Sequence, residues 1–102
     1  MDSSAVEVQR VTALRVEITD DTITVDLSDG RTISAPLAWY PRLSHGTPDE
    51  RKCWRLIAEG LGIHWPDLDE DVSIENLLAG KRSAESQSSL QRWLEQRASS
   101  GK

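Results

Sequence analysis

The chain reads as an α+β domain: a small antiparallel three-stranded β-meander packed against a central helix, followed by a short strand, a short helix and a C-terminal amphipathic helix. Three observations predict this class. Apolar and polar residues alternate between Val11 and Leu37, a capped helix start stands at Thr47-Pro48-Asp49-Glu50, and a narrow apolar stripe marks the last stretch of the chain.

The alternating region divides into strands centred on Leu14-Val16-Ile18, Ile23-Val25-Leu27 and Ile33-Ala35-Leu37. Opposed residues of an antiparallel pair share a face. A two-residue loop at Asp20-Asp21 therefore pairs Ile18 with Ile23, Val16 with Val25 and Leu14 with Leu27, burying one apolar face. A two-residue loop at Asp29-Gly30 fails the same parity test, because it sets Leu27 against Thr32. A three-residue loop, Ser28-Asp29-Gly30, with Gly30 at positive φ, pairs Val25 with Ile33 and Ile23 with Ala35. Pro36 cannot donate to a ladder, so the third strand ends there or lies at an edge.

Thr47 caps the next element, Pro48 takes the first helical position and Glu50 completes a capping box. The helix is expected to run to about Glu59, with Cys53, Trp54, Ile57, Ala58 and Leu61 as its buried stripe and Gly60 with Gly62 as its stop. Leu56 falls with Lys52, Arg55 and Glu59 on the opposite side. Ile63 to Pro66 reads as a short extended segment. Val72 to Leu78 reads as a short helix, capped by Asp71 or Ser73 and ended by Gly80. After a serine-rich stretch, Ser83 to Ser89, comes a terminal helix whose stripe is Leu90, Trp93 and Leu94; it must dock to be stable. Residues 5–80 form the α+β domain and 81–98 a helical extension, with polar, frayed ends at Met1 to Ser4 and Ser99 to Lys102.

A chain of 102 residues suits a single core. Its only cysteine, Cys53, excludes an internal disulfide, and the start lacks a basic-then-apolar signal, so the expected location is the cytoplasm. No apolar run nears the roughly 20 residues that span a bilayer, which sets membranes aside. A net charge of −5 works against binding to phosphate backbones unless the 12 Lys and Arg residues gather on one face.

Catalytic motifs are missing. Asp67, Asp69 and Asp71 have the spacing that opens a calcium loop, but Val72 stands where the turn needs glycine and Leu78 where the bidentate glutamate belongs. Cys53 with His45 or His64 lacks any informative spacing for zinc or for a thiolate and its base, and on an apolar stripe it acts as a small hydrophobe. Ser44-His45 has no nucleophile elbow around it. No glycine loop cradles phosphate. The expectation is a non-enzymatic chain with no metal and no cofactor. Trp54 and Trp65 are assigned to the core of a chain that has no phenylalanine, and an exposed Trp39 or Tyr40 beside Arg42 is a contact candidate.

The turn Asp29-Gly30-Arg31, the stretch Pro36 to Leu43, Glu50 to Trp54, Gly62 to Asp71 and Leu77-Leu78 occur in an order that resembles the bacterial domain of unknown function 2442 family, over most of Val11 to Gly80. The tail from Ser86 to Arg97 is similar to an extension carried by some of its members. The resemblance implies a small α+β fold. It also implies an antitoxin-like role, because genes of this family often stand beside those of domain of unknown function family 4160 in arrangements that look like toxin-antitoxin pairs. Some relatives add a helix-turn-helix, for which the residues after Gly80 are too few, so autonomous reading of DNA is not expected.

The leading expectation is a protein that neutralises a small partner by direct contact. An acidic surface of Asp67, Asp69, Glu70 and Asp71 covers a basic site on that partner, Arg42, Arg51 and Arg55 add polar contacts, and His64 or Trp65 anchors the loop. Arg42 and Arg51 serve equally well as internal partners of the acids. The rival expectations are a scaffold that self-associates through Leu56 or the Leu90-Trp93-Leu94 stripe, and a DNA-binding regulator.

Overall fold

The computed structural model describes residues 10–100. The polar start at Met1 to Ser4, the domain boundary at residue 5, and Gly101 and Lys102 lie outside them. The first sheet is the antiparallel meander β1 (Ala13–Ile18), β2 (Thr22–Leu27) and β3 (Thr32–Pro36). Two short helices follow, α1 (Pro41–His45) and α2 (Pro48–Lys52). A second antiparallel meander comprises β4 (Arg55–Ile57), β5 (Gly62–Trp65) and β6 (Glu70–Ser73). The chain closes with α3 (Ile74–Leu78) and α4 (Gln87–Ser100).

The expected pairs Ile18–Ile23, Val16–Val25, Val25–Ile33 and Ile23–Ala35 all form. Gly30 takes φ +93° in the loop before β3, where its N–H bonds Leu27 O at 3.1 Å. The pairing of Leu14 with Leu27 does not form. A bulge inserts Leu14 between Ala13 and Arg15, so Ala13 faces Leu27 instead. Ala13 is buried and Leu14 is 61% exposed. A bulge leaves one residue without a cross-strand mate and reverses the parity beyond it.

The central helix is shorter than expected. The capping box at Thr47 and Glu50 is present, but α2 ends at Lys52, and Cys53, placed on a buried stripe by its spacing, is exposed. The reason is tertiary. The buried Trp65 indole donates to the Arg51 carbonyl oxygen at 3.0 Å, and Leu56 pairs with Ile63 in the second sheet. These contacts override an apolar spacing that fits a helix only locally. Gly60 is not a helix stop but a close approach: at φ +90°, an added Cβ would stand 2.9 Å from Thr12 Cβ and 3.2 Å from the Ala13 oxygen. The second sheet thus fills the space assigned to the helix, and one core cluster joins Ile23, Val25 and Leu43 to Ile63, Trp65, Leu68 and Ile74.

Residues 70–73, placed in the loop and short helix by sequence, form β6, and Ser73 caps α3 by accepting from Asn76 N. The terminal helix docks as expected. Trp93 is buried, and Leu90 and Leu94 pack half-buried against the core, which withdraws the stripe from any free surface. Helix α4 continues through the expected frayed residues Ser99 and Ser100.

Candidate functional site

The turn Pro66 to Asp69 connects β5 to β6 and closes on the Trp65–Glu70 pair. Leu68 plugs the core beneath it, and Asp69 takes φ +52°, a left-handed conformation that a short polar side chain tolerates. Arg42 braces the turn from behind: its Nη1 donates to the Asp69 carbonyl at 3.1 Å and reaches the Leu68 carbonyl at 3.4 Å. The rest of the guanidinium grips Glu85 in a fork, Nε to Oε1 at 2.8 Å and Nη2 to Oε2 at 2.6 Å, with the Trp93 ring 5.0 Å away. Planar two-point pairing of this kind suits arginine over lysine. Glu85 also accepts from Ser89 Oγ, and hydrogen bonds from Arg42 hold its carboxyl below the usual range.

Between β6 and the segment that leads into α4 lies a cleft of about 410 Å³. All four residues of β6 line it on one side and Lys81 to Glu85 on the other, with Tyr40, Arg42, Asn76 and Ser89 completing the wall. Tyr40 is buried and its hydroxyl donates to the Lys81 carbonyl at 3.3 Å. Burial pushes its phenol up, helped by the Glu70 charge. Arg82 lies over the Trp39 ring at 5.1 Å.

The acids of the cleft differ in their partners. Asp69 stands 3.6 Å from Arg42, Asp71 contacts His64 Nδ1 across the strands, and Glu85 is held as above. The Glu70 carboxyl makes no hydrogen bond or ion pair with any described residue. Burial pushes its carboxyl up to about 7; the Arg42 charge opposes this, and Glu85, Asp71 and Asp69 add to it by repulsion. A half-buried carboxyl without a partner is costly to ionise, and a cation delivered into the cleft would relieve that cost.

The structure sorts the residues singled out by sequence. Asp69, Glu70 and Asp71 come together on the cleft rim, with His64 behind Asp71. Asp67 is exposed on the turn but does not line the cleft, and Arg55 is exposed on β4, away from it. Three residues expected at a contact surface are held inside the structure, and for Arg42 and Arg51 the internal pairing given as the equal alternative is what forms. Trp65 is 0% exposed and anchors the turn from inside the core. Arg42 is spent on Glu85 and on the backbone of the turn. Arg51 donates Nε to Leu43 O at 2.8 Å and Nη2 to Ser44 O at 2.8 Å, and pairs with Asp20 at 3.3 Å. Charge marks these arginines in the sequence; of their internal acceptors, the carbonyls of Leu43, Ser44, Leu68 and Asp69 leave no signal there, and the carboxylates of Glu85 and Asp20 are brought to them only by the fold. The one-three-five acids do not converge either: among the described residues no group of three or more His, Cys, Asp and Glu side chains could hold a metal ion. Lys81, Arg82 and Glu85 went unmarked, because only the fold brings them opposite β6. A second hollow of about 300 Å³, lined by Arg10, Val11, Leu61, Ser73, Glu75 and Leu78, contains none of the expected residues. Among the described residues no helix is long and apolar enough to cross a membrane.

A family model described as "Protein of unknown function (DUF2442)" matches residues 13–83. No curated protein matches the chain. A crystal structure of a protein of unknown function from Rhodospirillum rubrum is similar at 25% identity and a TM-score of 0.65, covering 76% of this chain and 95% of that one. A solution structure of an uncharacterized protein from Chromobacterium violaceum is similar at 25% identity and a TM-score of 0.62, covering 72% of this chain and 69% of that one. The matched region ends just before Glu85 and α4, the elements that close the cleft.

Proposed function

The chain belongs to the DUF2442 family, and on that premise we propose that it is a non-enzymatic, protein-binding domain of antitoxin-like character that neutralises a small basic partner by direct contact. The observation that carries this reading is the rim Asp69-Glu70-Asp71. Three consecutive acids stand along one cleft wall, on a turn braced from behind by Arg42, so their charge is presented from a rigid base. Side chains of Asp69 and Asp71 are 88% and 66% exposed, available to a partner without unfolding anything. Charge of one sign concentrated on a fixed rim raises association rates with an oppositely charged protein and rejects acidic ones.

The test is affinity capture with the tagged full chain from extract of its native cell, alongside the triple variant Asp69→Lys, Glu70→Lys, Asp71→Lys. The expected result is a small basic protein that the parent retains and the variant loses. Equal capture by both, or capture of nothing but the chain itself, overturns the reading.

A further inference from the structure

The cleft has a feature that charge alone does not explain. Four consecutive residues of one strand, Glu70 to Ser73, line it. Successive side chains of a strand point to opposite faces, so a hollow touched by all four runs along the strand's edge and not across a face. Strand β6 is the last of its sheet, paired with β5 and with no other described strand. In an antiparallel ladder alternate residues direct both N–H and C=O away from their partner, leaving β6 two residues' worth of free main-chain groups over a length of about 13 Å.

Resting on the reading above, we infer that this cleft receives an extended segment of the partner protein as an added strand beside β6, with a basic side chain of that segment seated against Glu70. Main-chain hydrogen bonds supply affinity in such additions, and pockets for alternate side chains supply selection. Glu70 provides the pocket: it lies on the core-facing side of β6 with Val72, half-buried and unpaired, whereas Asp71 is turned to the other face and engaged with His64. The opposite wall brings Lys81, suited to an acid one or two residues further along the added strand. The volume of about 410 Å³ sits within the range of ligand clefts and admits a few residues of extended chain.

The test titrates the isotope-labelled full chain with the capped peptide acetyl-Val-Arg-Val-Glu-Val-amide, which offers the basic residue to Glu70 and an acid two residues on to Lys81, followed by NMR, beside the same peptide methylated on its backbone nitrogens. The expected result is saturable shifts at residues 70–73 and 81–85 and slowed exchange of β6 amides. The methylated peptide should lose binding, and Glu70→Gln should weaken it by roughly tenfold, the worth of one charge-assisted hydrogen bond. Equal binding of the methylated peptide, shifts elsewhere, or no saturation at millimolar peptide overturns the inference. So does pairing of β6 with a second copy, seen as a dimer by sedimentation. The peptide assay needs no native partner, so its failure is separable: capture lost in the triple variant, combined with no peptide binding, leaves the antitoxin-like reading in place and removes the added strand.

Discussion

The two sheets are built alike and held differently. Both are antiparallel meanders of adjacent strands, but β1 to β3 have 6, 6 and 5 residues and β4 to β6 only 3, 4 and 4. The longer ladders carry themselves, burying one face and crossing the other with small polar pairs such as Thr24 Oγ1 and Ser34 Oγ at 2.8 Å. Strands as short as β4 to β6 lie at the short end of the ordinary range and need support from outside. That support comes from distant side chains on backbone carbonyls: Trp65 on Arg51, Arg42 on Leu68 and Asp69. The surface proposed to bind is thus positioned by non-local contacts, whereas the first sheet supplies a frame.

The largest effect should come from removing the anchor of the second sheet. Trp65→Ala empties a fully buried site and orphans the Arg51 carbonyl, at a cost of about 3–5 kcal/mol, a large part of a small domain's stability. Urea melts should show it; a loss below 1 kcal/mol would mean that the second sheet stands without its indole. Next is the fork. Arg42 and Glu85 side chains are 15% and 9% exposed, so Arg42→Ala or Glu85→Ala leaves a shielded charge alone and should cost about 2–3 kcal/mol. Hydrogen exchange should find α4 and the Pro66–Asp69 turn deprotected while β1 to β3 hold; uniform loss across both sheets would collapse the comparison.

A smaller effect concerns Glu70. Its folded carboxyl titrates at about 7, above the ordinary 4.5, so the folded state holds the proton more tightly. The resulting stability is fully present below pH 4.5 and is lost as pH rises through 7. Glu70→Gln imitates the protonated form and should raise stability at pH 8 by about 1 kcal/mol, discounted for solvent reaching the cleft, and leave it unchanged at pH 4. Glu50 and Glu85, held low by hydrogen bonds from Arg97 and Arg42, act in the opposite sense, contributing above their unfolded range and failing as acid reaches them. Thermal melts of both proteins across pH read the two arms separately. The smallest effect marks the bulge. Leu14→Thr should change stability by no more than about 0.5 kcal/mol, whereas Val16→Thr puts a hydroxyl into the core and should cost about 1–2 kcal/mol. Equal costs would show that the bulge does not form.

What was legible in the sequence follows the same division. Parity of alternation gives the register of β1 to β3 from Val16 onward and chooses the loop at Gly30, because turn and strand obey local rules there. It misses the bulge at Leu14, since Ala13 and Leu14 are both apolar and nothing local says which of them faces Leu27. Around residues 53–61 the chain carries a helical spacing that the fold overrides, and nothing local announces that Arg51's carbonyl will be taken by an indole. The acidic rim is visible because its members are contiguous. The cleft is not, because its far wall lies beyond Gly80 and is brought back by Arg42.

That last link has a temporal side. Arg42 and Glu85 lie 43 residues apart, so at ordinary synthesis rates of about 5–20 residues per second the arginine waits roughly 2–9 s for its acid to be made. Until then the guanidinium has the carbonyls of the turn and the Asp69 carboxylate, and Trp93 arrives later still. The second wall of the cleft is therefore made well after the first, and a nascent chain halted before Glu85 carries the acidic rim with that wall incomplete.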